Sequence, residues 1–132
     1  EYLWKVNVLG PWILTKYAWK YLSMSQYGRI IVLVSMSGKR SKGNLASYSM
    51  SKFALMSLCQ TMRNEGWNQG IRVTAICPGW VNTEMAKEIN QFPKKDMIQT
   101  KDIAKICSNL LGLPNSSVPF EIALNCQLET TN

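Results

Sequence analysis

The stretch Gly28-Arg29-Ile30-Ile31-Val32-Leu33-Val34-Ser35, followed at residues 48–52 by Tyr48-Ser49-Met50-Ser51-Lys52, decides how this chain folds. Residues 30–34 are consecutive apolar side chains, mostly β-branched, lying between a Tyr27-Gly28-Arg29 turn and a loop, Ser37 to Asn44, that carries Gly38 and Gly43. Such a run suits a parallel strand covered on both faces. The segment from about Leu45 to Trp67 reads as a helix that stops near Gly66 or Gly70. On it Tyr48 and Lys52 stand four apart and share one face. Ser35 ends the strand, so its hydroxyl is expected at the crevice on the carboxyl edge of the sheet.

Working outward, residues 2–24 have helical periodicity, with apolar positions at Leu3, Val6, Leu9, Ile13, Leu14, Tyr17, Ala18 and Tyr21. Pro11 interrupts that helix and removes the usual hydrogen-bond partner of the Asn7 carbonyl. Downstream, residues 71–77 read as a second strand ended by Pro78-Gly79. Residues 83–98 read as a loop with short helical pieces. Thr100 is placed to cap a third long helix through about Leu111, with Asp102 in its first turn. Residues 121–126 form the last expected strand. Alternating strands and helices indicate an α/β unit with a parallel sheet.

At 132 residues, 46% of them apolar, the chain suits one domain or a large part of one. The longest apolar runs are too short for a membrane span. Residues 1–5 lack a basic segment leading into an apolar one, so no signal peptide is expected, and the missing initiator Met suggests lost upstream sequence. Cys59, Cys77, Cys107 and Cys126 are scattered and read as buried free thiols, with a cytoplasmic setting as the default. With no His, a Ser-His-Asp triad is excluded and no metal site is expected. The net charge is +7, with basic clusters at Lys39-Arg40-Ser41-Lys42 and Lys94-Lys95. They read first as solvated loops and second as an attraction for an anionic cofactor or substrate. Nucleic acid is not an expected partner, because no aromatics interleave them.

Tyr-x-x-x-Lys alone says little, since this composition yields about 0.4 such pairs by chance. Its context says more. Asn7, Ser35, Tyr48 and Lys52, together with Pro78-Gly79-Trp80-Val81-Asn82-Thr83, resemble in order and spacing the short-chain dehydrogenase/reductase family. The resemblance covers roughly residues 2–112. It implies a Rossmann-like doubly wound parallel sheet, of which residues 1–132 are the second, C-terminal part of a single catalytic domain. The family's Gly-rich dinucleotide turn is absent from these residues, so NAD and NADP cannot be told apart. The isolated chain is expected neither to bind a dinucleotide well nor to turn over.

The resemblance further implies roles. Asn7, Ser35, Tyr48 and Lys52 form a catalytic tetrad. Tyr48 exchanges a proton with the substrate oxygen, Ser35 donates a hydrogen bond to it, and Lys52 also binds the nicotinamide ribose. A free tyrosine titrates near 10, and moving it to neutrality takes about 4 kcal/mol. One ammonium at about 4 Å, in an effective dielectric near 20, supplies about that much. At Asn7 the resemblance implies a water relay; the residues alone are equally served by a kinked helix with Asn7 in solvent. For Ser35 the competing reading is a loop-capping serine. Pro78, Gly79, Val81 and Thr83 are expected to contact the cofactor. Met36, Trp80 and Met85 are expected to line a substrate pocket, with core packing as the alternative for Trp80 and Met85, and residues 83–98 to form a substrate loop.

The expected activity is NAD(P)-dependent interconversion of a small-molecule carbonyl and alcohol. The alternatives are a non-catalytic binding or assembly module of the same fold and, ranked lower, an extended-type epimerase or dehydratase. A homodimer through helices 2–24 and 45–67 is implied. The ending Glu121 to Glu129 lacks the Asp-Gly-Gly tail of tetrameric relatives.

Overall fold

Pro11 does not break the N-terminal helix. The computed structural model describes residues 1–88 and 91–130. One α-helical turn, α1 (Tyr2–Trp4), passes into a π-helical turn (Lys5–Leu9) and then into α2 (Gly10–Met24). The Gly10 N–H donates to the Lys5 carbonyl, five residues back. This wider winding leaves Pro11 in the first turn of α2, where its missing N–H costs little. The expected interruption thus falls ahead of the proline, and Asn7 lies at its centre. Single π turns of this kind recur beside functional side chains.

Next come β1 (Arg29–Leu33), α3 (Ala46–Gly66), β2 (Arg72–Pro78), α4 (Thr100–Leu111) and β3 (Glu121–Leu124). The strands form one parallel sheet in the order β1-β2-β3. Ile30 stands opposite Val73, Leu33 opposite Ile76, and Pro78 opposite Leu124. Parallel strands need long crossovers, which α3 and α4 supply. β2 is buried on both faces. Val73, Ala75 and Cys77 join a core with Val34, Leu55, Met56, Cys59 and Met62, while Thr74 and Ile76 bury toward the opposite side. The architecture is the partial Rossmann-like α/β fold expected.

The amino ends of β1 and β2 are pinned by arginines. Arg29 donates to Asn115 Oδ1 (2.7 Å) and the Leu113 carbonyl (2.8 Å). Arg72 donates to the Asn115 carbonyl (2.8 Å) and lies 3.7 Å from the centre of the Trp67 ring. This network fixes the 113–117 turn at one end of the sheet and leaves the carboxyl ends for the site.

Two local expectations need correction. Thr100 is the first residue of α4 rather than its cap; Gln99 holds the cap position without capping through its side chain. That side chain is engaged elsewhere, accepting from Asn82 Nδ2 (3.1 Å) and donating to the carbonyls of Lys94 and Met97. β3 also ends at Leu124, short of Cys126. In the expected substrate loop, short turns form at Glu84–Ala86 and Lys94–Asp96, and Ile89 and Asn90 lie outside the described residues.

Candidate active site

Several elements meet at the carboxyl ends of β1 and β2. Gly38 permits a close approach between α3 and the end of β1. A Cβ there would lie 2.6 Å from Val34 Cγ1 and 2.9 Å from the Lys52 carbonyl oxygen. With α3 drawn in so tightly, the Lys52 ammonium reaches back to donate to the Leu33 carbonyl (3.3 Å). It also stands 5.7 Å from the centre of the Tyr48 ring. Burial pushes the Lys52 pKa below its ordinary value, and nearby Cys77 works in the opposite direction.

Ser35 follows β1 directly. Its Oγ accepts the Ser37 N–H (3.0 Å) and so caps the turn Met36–Gly38. A hydroxyl that accepts still has its proton to donate. The loop-capping reading and the substrate-facing reading are therefore compatible. Burial pushes the Cys77 thiol up, and a hydrogen bond to the Ser35 backbone pulls it the other way. Cys59 is pushed up to about 12, chiefly by burial. The four cysteines are free thiols.

Asn7 does not face solvent. Its Nδ2 donates to Ser51 Oγ (3.1 Å), and Ser51 donates to the Tyr48 carbonyl (2.7 Å). The π turn is thereby joined to the turn of α3 that carries Tyr48. Ser51, fully buried, was not singled out by sequence reasoning. The available signal was its position three residues after Tyr48, on the same helix face.

The second wall of the crevice follows β2. Past Pro78, the Gly79 N–H donates to the Leu124 carbonyl (2.7 Å). Val81 then forms a parallel bridge with Ile98: the Ile98 N–H donates to the Trp80 carbonyl (3.0 Å) and the Asn82 N–H to the Ile98 carbonyl (2.9 Å). In that pattern the N–H and C=O of Val81 itself point to the other side. Thr83 is exposed, its hydroxyl 3.5 Å from the Val81 carbonyl.

The three expected pocket residues part company. Trp80 is half-buried and packs near Phe92, ring centres 6.4 Å apart, while Met85 is 85% exposed. Met36 belongs to the hydrophobic core with 3% of its surface exposed, so it supports the strand end from within. The basic clusters are partly structural: Lys39 pairs with Glu121 (3.1 Å) and Lys94 donates to the Ala86 carbonyl.

This arrangement has a known counterpart. The family model described as short chain dehydrogenase matches residues 1–94. The chain belongs to that family. It is 34% identical over 127 residues to an agropine synthesis reductase of Rhizobium rhizogenes, covering 96% of this chain and 30% of the relative. A crystal structure of a betaketoacyl-ACP reductase from Bacteroides thetaiotaomicron superposes with a TM-score of 0.78 at 30% identity, covering 94% of this chain and 51% of that one. An alcohol dehydrogenase from Thermococcus sibiricus complexed with 5-hydroxy-NADP gives a TM-score of 0.84 at 25% identity, covering 98% and 54%. This short-chain dehydrogenase chain thus spans from under a third to about half the length of these relatives.

Proposed function

We propose that the full-length protein is an NAD(P)-dependent oxidoreductase that interconverts a carbonyl and an alcohol. The observation that carries this reading is the Lys52 ammonium, 5.7 Å from the centre of the Tyr48 ring and bonded to the Leu33 carbonyl two residues before Ser35, with Asn7 tied to the Tyr48 turn through Ser51. Tyr48 gives its phenolic proton to the substrate oxygen in reduction and takes it back in oxidation. Ser35 donates a hydrogen bond to that oxygen, where negative charge develops. Lys52 presents a fixed positive charge beside the Tyr48 ring, and Asn7 holds the water-relay position.

The residues present fit a nicotinamide. A carboxamide carries one acceptor and one donor group, and the outward N–H and C=O of Val81 are their complement. Pro78, Gly79 and Thr83 frame that amide, and Lys52 is within the same crevice to meet the ribose. When bound, the nicotinamide supplies or receives the hydride. A small carbonyl or alcohol substrate would enter between Trp80 and the loop bearing Met85.

Pairing into a homodimer through α2 and α3 fits the exposed apolar residues of the first helix, Trp12, Ile13, Leu14, Tyr17 and Tyr21. Free thiols fit a reducing, cytoplasmic setting. No helix among the described residues is long and apolar enough to cross a membrane.

The test is to supply the full-length protein with NADH or NADPH and a panel of ketones that includes a β-ketoacyl thioester, following nicotinamide absorbance. Consumption of one cofactor in step with ketone supports the reading. A protein that binds neither cofactor and consumes neither would instead be a non-catalytic module.

A further inference from the structure

We infer that Glu129 is a positioning residue for the nicotinamide end of the cofactor, an inference that rests on the oxidoreductase reading above. Glu129 lies in the tail beyond β3, and its Oε2 accepts both the Trp80 N–H (3.2 Å) and the Cys126 N–H (2.7 Å). Hydrogen bonds from backbone N–H groups to a carboxylate are charge-assisted and stronger than neutral ones. One oxygen therefore ties the tail to the loop that follows β2.

Gly79 shows how specific this contact is. A Cβ at that position would lie 2.1 Å from Oε2 and 2.3 Å from Oε1 of Glu129. Gly70, not Gly79, is the positive-φ glycine of the described residues. Gly79 is thus required for the approach of the carboxylate, not for its backbone conformation.

The consequence falls on Val81. Ile98 clamps the Trp80 carbonyl and the Asn82 N–H, while Glu129 clamps the Trp80 N–H. Between them the Val81 amide is held pointing away from Ile98 before any ligand arrives. Losing Glu129 frees one end of this clamp, and a seat that must be ordered on binding holds its ligand more weakly. The adenine half of a dinucleotide makes no use of Val81, so its affinity should be untouched.

The experiment compares Glu129→Ala and Glu129→Gln with the parent full-length protein. NADH and NADPH are titrated calorimetrically beside ADP-ribose and its 2′-phosphate, which lack the nicotinamide. Glu129→Ala should weaken the preferred dinucleotide roughly tenfold, leaving the matching ADP-ribose ligand within about twofold. Glu129→Gln, which keeps one acceptor oxygen and nearly the same shape, should fall between and carries the test if the alanine variant fails to fold. Equal weakening of both ligands would mean a merely structural glutamate and overturn the inference, as would unchanged affinity for both. A parent protein that binds no dinucleotide would sink the oxidoreductase reading itself.

Discussion

Gly38→Ala is the sharpest test of how the site is built. The added methyl would lie 2.6 Å from Val34 Cγ1 and 2.9 Å from the Lys52 carbonyl oxygen. Ordinary contact starts near 3.4 Å, so these approaches are about 0.8 Å and 0.5 Å short. The Val34 methyl can rotate only into a packed core, and the Lys52 oxygen is helix backbone. Relief therefore requires α3 to slide away from the end of β1, carrying Tyr48 and Lys52 with it. Overpacking of this kind costs about 1–3 kcal/mol, which in a full-length protein lowers Tm by roughly 2–4 °C per kcal/mol. A shift near half an ångström between acid and hydrogen-bond donor should lower kcat at least about tenfold, given that 1 Å can cost a hundredfold. The assay pairs a thermal melt with NAD(P)H-dependent ketone reduction at saturating cofactor. A Gly38→Ala protein with parental Tm and kcat would refute the claim that Gly38 sets the α3–β1 approach.

Lys52→Met should remove hydride transfer while leaving the protein at least as stable as the parent at pH 7. The folded pKa of Lys52 is depressed from its ordinary 10.5 by burial, so the unfolded state holds the proton more tightly and stability rises with pH between the two values. The methionine lacks that cost, and its advantage in urea melts should shrink as pH climbs toward 10.5; a variant less stable at pH 7 would contradict this. Ser51→Ala strips Asn7 Nδ2 of its acceptor and should cost about 1–2 kcal/mol in a chemical melt. If Asn7 serves a relay, kcat should drop several-fold as well, whereas a purely structural link would leave it unchanged.

Much of this fold was legible in the chain. The apolar run 30–34 and the segment 45–67 became β1 and α3 to within a residue at each end, because an unbroken β-branched run suits a strand and glycines punctuate the chain on either side. The Tyr48–Lys52 face and the position of Ser35 followed from those elements. What stayed hidden were contacts between distant positions. The Asn7–Ser51 bond joins residues 44 apart, and the Trp80–Glu129 bond residues 49 apart. No period encodes such pairs, since they depend on how two finished elements pack. The burial of Met36 was missed for the same reason: a residue just after a strand can turn either way, and the Met36–Gly38 turn sends it inward. Thr100 looked like a cap because its residue type favours that role, yet the neighbouring glutamine took the position.

The central claim is that Tyr48 moves the proton while the surrounding residues hold substrate and cofactor. Tyr48→Phe in the full-length protein tests it most directly, with turnover and NAD(P)H affinity measured on one preparation. Loss of the positioned acid should lower kcat by about 10²–10⁴-fold with cofactor affinity within about twofold. Turnover retained at the parental rate would contradict the account.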